Sequence, residues 1–123
     1  MNVRVRPKPV LELKAQAAYS GWSDLRDTRV MIFSNRLVII DEANPPNNDF
    51  WYSTMALTRA VVARGLNAVI PYKSILSIEL RKKLLIKWVT IKFVDENNEE
   101  RTIDIVGGKI DELYEIVKNL AGK

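Results

Sequence analysis

The sequence contains no cysteine and no histidine in 123 residues. That double absence excludes a disulfide framework, a thiol nucleophile, a Cys/His zinc site and a Ser-His-Asp triad. Missing cysteine also fits a reducing interior, so a cytoplasmic location is the expectation. Long apolar runs are missing too: no stretch reaches the roughly 18 apolar residues of a membrane span. The basic start, MNVRVRPKPV, lacks the apolar run of a signal peptide. No phosphate-cradling glycine loop of the Walker or dinucleotide kind occurs. The carboxylates are scattered over loops and one helix face, so no catalytic pair stands out and no cofactor is implied.

What is present is ordinary globular material, 47% hydrophobic and 28% charged. This length supports one domain with one core. A net charge of +4 favours approach to anionic lipid, nucleic acid or an acidic protein face. The basic residues are interleaved with acids and carry no RNP-like or helix-turn-helix signature, so nucleic acid is not the expected partner.

Along the chain, Pro7 and Pro9 oppose regular structure, and residues 1–9 read as a flexible arm ahead of a domain over 10–123. Val10 to Ser20 reads as a first strand, with Ala15, Ala17 and Ala18 leaving a helix as the alternative. Val30 to Phe33 and Leu37 to Ile40 are short β-branched apolar runs joined through Ser34-Asn35, a pair suited to a tight turn because Asn tolerates left-handed backbone. An insertion over 42–66 follows, begun by a Pro- and Asn-rich loop. Its later part suggests a helix from Asp49 as N-cap to Gly65 as stop. Asn67 to Tyr72, Ile75 to Leu80, Leu84 to Val94 and Arg101 to Val106 read as further strands, with Arg81-Lys82-Lys83 as a polar tip. Lys109 to Ala121 is an amphipathic helix whose stripe is Ile110, Leu113, Val117 and Leu120. The expected fold is therefore α+β and mainly β: seven antiparallel strands and one C-terminal helix.

That order resembles a pleckstrin-homology-like (PH-like) barrel or sandwich capped by its last helix. The hairpin VMIFSNRLVII is similar to that of the GRAM and GLUE branches, with Ser34, Arg36 and Leu37 at the polar-basic-apolar centre. AVIPYKSILSIELRK and KWVTIKFVDENNEERTIDI look like the stretches that follow in those families, so the resemblance spans about residues 10 to 121. The Lys-, Glu- and Ile-rich text resembles archaeal thermophile proteins, which points to an archaeal GLUE homologue. GLUE domains open a subunit of ESCRT-II. The resemblance therefore implies a non-enzymatic recruitment module that binds ubiquitin or a ubiquitin-like protein, other ESCRT subunits and acidic phospholipid, with peripheral membrane association. A GRAM or bacterial-type PH domain with a lipid-binding or self-assembly role is the alternative.

For lipid, Arg81, Lys82 and Lys83 are the first candidates, because a phosphate headgroup needs several converging cations. Lys73, Arg101 or Lys87 would supply the rest; the bland alternative is a solvated turn. Lys14, Arg26 and Arg29 only partly imitate the PH lipid signature. For ubiquitin, the resemblance implies strand, loop and helix surface, giving Trp88, Asn97, Asn98, Glu112 and Ile116. On the sixth expected strand Leu85, Val89, Ile91 and Phe93 share one face, leaving Ile86 and Trp88 on a mixed second face. Phe50-Trp51-Tyr52 opens the insertion as barrel cap or membrane-dipping aromatics.

Overall fold

The computed structural model describes residues 8–19, 24–46 and 59–123. Eight strands form one sheet: β1 (Leu11–Tyr19), β2 (Arg26–Ile32), β3 (Arg36–Asp41), β4 (Val61–Val62), β5 (Ala68–Pro71), β6 (Ile75–Lys83), β7 (Ile86–Val94) and β8 (Glu100–Val106). The spatial order is β4-β5-β3-β2-β1-β8-β7-β6, and every ladder is antiparallel. Two meanders, β1 to β3 and β6 to β8, share a seam at β1, while β5 pairs with β3 and β4 flanks β5 at the edge. The Leu11–Ala17 part of β1 pairs with β2, and Gln16–Tyr19 pairs with β8. A C-terminal helix, α1 (Ile110–Ala121), lies against β6, β7 and the 3-10 turn Tyr72–Ser74.

Among the described residues the strand count corrects the expected seven, and no ladder joins β4 to β6 to close a barrel. The extra strand, Val61–Val62, falls where a helix was expected and pairs instead with Val69 and Ala68. A short apolar run fits helix and strand alike, and its two β-branched residues suit the strand. The rest of that expected helix, with Phe50-Trp51-Tyr52, lies outside the described residues, as does most of the N-terminal arm. β1 is strand throughout despite its alanines.

The density of apolar residues around Ser34-Asn35 comes from burial on both faces of the sheet. Val30, Ile32, Leu37 and Ile39 enter the main core, while Met31, Phe33, Val38 and Val69 form a second cluster. Strands buried on two sides read as near-continuous apolar text, and these do. The turn itself differs from expectation, because neither Ser34 nor Asn35 has a positive φ. It is held instead by Phe33 N–H on the Arg36 carbonyl (2.9 Å) and by Tyr72, whose hydroxyl donates to the Phe33 carbonyl (2.5 Å).

Helix α1 closes the main core with Ile110, Leu113 and Val117, and Ile116 packs at the margin. Leu120, expected in the stripe, is exposed. Asp111 and Glu112 sit in the first turn, where negative charge suits the helix dipole.

Candidate functional site

The hairpin β6–β7 leaves the body of the fold before it turns. Every residue from Glu79 to Lys87 is exposed, and the two outermost pairs, Lys82–Lys87 and Lys83–Ile86, project with their turn beyond Trp88, where β7 joins β8, as a short arm about 7 Å long. The register places Arg81 opposite Trp88, Lys82 opposite Lys87 and Lys83 opposite Ile86. Leu84 and Leu85 are therefore the two turn residues, not the start of a strand, and Leu85 does not join the core face of Val89, Ile91 and Phe93. At 86% and 98% exposure they are the most exposed large apolar side chains of the described residues.

Leu84 adopts φ 57°, a left-handed conformation in which a turn ordinarily carries Gly or Asn. An apolar residue held there, facing water, satisfies neither the local backbone nor the core. Strain of this kind concentrates where a side chain is needed for function.

Around that apolar end stand four cations, Arg81, Lys82, Lys83 and Lys87, against one carboxylate of the same arm, Glu79. Arg81 donates to Glu79 from Nη2 at 2.8 Å, and Lys87 Nζ lies 3.4 Å from Asp111 at the start of α1. Lys82 and Lys83 make no ion pair among the described residues. One flank of the arm carries a hollow of about 340 Å³ lined by Lys83, Leu84, Ile86 and Trp88. The other flank faces the α1 start across a groove of about 460 Å³ that includes Lys82, Leu85, Ile110 and Asp111.

Two expected members of the cationic cluster lie elsewhere. Lys73 belongs to the 3-10 turn before β6, roughly 25 Å along the strand from Lys83. Arg101 pairs with Phe93 at the far end of β7 and donates its Nε proton to buried Asp95 at 2.6 Å, with Tyr19 beneath its guanidinium. That contact raises the Arg101 pKa further, and burial pushes the Tyr19 phenol to about 12.

The residues expected for ubiquitin are also spread out. Trp88 is half-buried on the outer face of β7, and Asn97 and Asn98 form the turn beyond its other end, more than about 20 Å away. Asn98 takes a positive φ of 63° and accepts from Arg59 (3.0 Å). Glu112 is exposed on α1, and Ile116 packs against the core from the opposite side of the sheet to Trp88.

Elsewhere two buried carboxylates, Asp41 and Asp95, are saturated, while Asp104 accepts from the Thr90 hydroxyl (2.6 Å). Asp41 accepts from Arg26 Nη1 (3.0 Å) and from the Leu66 and Ala43 N–H groups (3.1 and 3.0 Å). Burial alone would raise its pKa, but these donors together hold it below the usual carboxylate value. Its turn requires Gly65, where a Cβ would come within 2.6 Å of Asp41 Oδ2. Asp95 is held low chiefly by Arg101, with the Glu99 and Asn97 N–H groups adding to it. Among the described residues no group of three or more Asp or Glu could hold a metal ion, and no helix is long and apolar enough to cross a membrane.

No protein-family model matches the chain, and no curated protein does. Among solved structures it is similar to the C-terminal domain of an unknown protein from Leishmania infantum, with a TM-score of 0.62 at 14% identity over 94% of this chain and 85% of that one. That likeness supports a shared mainly-β fold.

Proposed function

We propose that this chain is a non-enzymatic, PH-like recruitment module of the GRAM/GLUE branch that attaches to an acidic phospholipid surface through the β6–β7 arm. The class is supported by two antiparallel meanders seamed at β1 and β8 and closed by a C-terminal helix. The non-enzymatic reading is supported by Asp41 and Asp95, whose oxygens are already occupied by backbone and arginine donors. Membrane sorting of the ESCRT type is the setting that the family resemblance implies.

The observation that carries the lipid reading is the concentration of Arg81, Lys82, Lys83 and Lys87 on one projecting end. A basic side chain near an anionic bilayer contributes about 1 kcal/mol, and the contribution falls off within a Debye length. Projection therefore matters as much as the number of charges. Ubiquitin is the competing partner, and its five candidate residues lie on no common face.

Co-sedimentation with vesicles of phosphatidylcholine, with and without 30% phosphatidylserine, tests the reading. Binding is expected only to the acidic vesicles, and Lys82→Glu/Lys83→Glu removes it. Equal binding to both vesicle types, or none to either, overturns the proposal. So does a saturable amide-shift titration with ubiquitin by a protein that ignores acidic vesicles.

A further inference from the structure

The charges alone give weak attachment, because Arg81 already leans on Glu79 and Lys87 on Asp111. Stable membrane anchoring by small elements takes a second, apolar contribution. The arm carries one at its extreme end, in Leu84 and Leu85.

We propose that Leu84 and Leu85 enter the acyl-chain boundary of an acidic bilayer, while Lys82 and Lys83 stay at the level of the phosphates; this rests on the lipid reading above. Both leucines lie at the outermost point of a hairpin exposed on each face, so they can descend without disturbing the sheet. Their neighbours are placed for the same geometry. Lys82 and Lys83 precede the turn directly, and long basic side chains can keep their ammonium groups at the interface while their stems lie deeper. Ile86, 47% exposed, follows the turn and extends the apolar end, and Trp88 lines the hollow behind it at a depth where indole is favoured.

Occupation by a second copy is disfavoured, since two such ends would bring the same cations together. Occupation by an apolar protein groove would need acidic residues matched to Lys82 and Lys83 on the two faces of β6. An anionic lipid surface supplies that match in every direction.

The absence of cysteine from the sequence permits a clean test. Leu85→Cys, at a position 98% exposed, is labelled with an environment-sensitive fluorophore, with Asn97→Cys at the far end of β7 as a control. On phosphatidylserine vesicles the first label should shift to the blue and be quenched by lipids brominated high on the acyl chain, while the second stays unchanged. In the unlabelled protein, Leu84→Ser/Leu85→Ser should weaken partition by about tenfold or more. Co-sedimentation without spectral shift overturns insertion while leaving surface binding standing. Loss of co-sedimentation with the unlabelled parent overturns both. A concentration-dependent dimer that the double serine variant abolishes also overturns insertion and assigns the tip to self-association.

Discussion

Arg101 donates its Nε proton to Oδ2 of Asp95 across 2.6 Å, at a carboxylate only 2% exposed. This pair and the Glu99 and Asn97 N–H groups on Asp95 Oδ1 tie the β7–β8 turn to the start of β8. Asp95 and Asp41 both have folded pKa values below their unfolded ones. Their stabilisation is therefore complete above about pH 4 and is lost as the pH falls through the lowered folded values. Thermal melts followed by circular dichroism should show Tm falling below pH 4, and Asp95→Asn should flatten that fall while lowering Tm at pH 7. An unchanged acid profile in Asp95→Asn would show that this carboxylate is not part of the linkage.

Leu84→Asn should move stability and membrane binding in opposite directions. Asn tolerates the left-handed backbone that Leu84 occupies, so urea denaturation should show a gain of about 0.5–1 kcal/mol. Vesicle partition should meanwhile weaken several-fold. If both quantities fell together, the turn conformation would not be the source of strain.

Tyr72→Phe should cost about 1 kcal/mol by chemical denaturation, because the buried hydrogen bond from the Tyr72 hydroxyl to the Phe33 carbonyl is lost. Burial raises the Tyr72 phenol well above its ordinary value, so the hydroxyl stays a donor throughout the accessible pH range. A loss that disappears at pH 10 would contradict this.

Arg36→Met should leave stability unchanged or raise it by about 1–2 kcal/mol. Arg36 is 2% exposed; its Nη1 donates to Asn35 Oδ1 (2.7 Å), its Nε and Nη2 have no partner among the described residues, and its pKa is lowered by that burial. Met keeps the contact with the Phe33 ring that now lies 4.4 Å from the guanidinium carbon. A loss above about 2 kcal/mol in the same denaturation experiment would mean that Arg36 holds an anion or a polar partner.

Much of this architecture could be read from local pattern. β1, the β2–β3 hairpin and α1 appear where an extended first run, two short β-branched apolar runs and a 3.6-residue stripe place them. What local pattern could not supply was distance. Lys73, in the turn before β6, and Lys83, at the end of β6, are ten residues apart in the sequence yet stand a strand's length apart, and Arg101 pairs at the end of β7 remote from Lys87. The arm's end was hidden for another reason. Leu84 and Leu85 carry no turn chemistry and continue the apolar text of β7, so parity assigns Leu85 to the core. Only the register, with Lys83 opposite Ile86, turns them outward.

β6 is the last strand of the sheet, and its exposed end is studded with Arg81, Lys82 and Lys83. An unguarded edge beside two bare leucines would zip onto its own kind, and basic side chains there repel any identical strand that approaches. The same lysines thus act as a gatekeeper with two settings. On the proposed lipid reading, they would close the tip to other copies of the chain in water and open it only where a sheet of opposite charge cancels the repulsion.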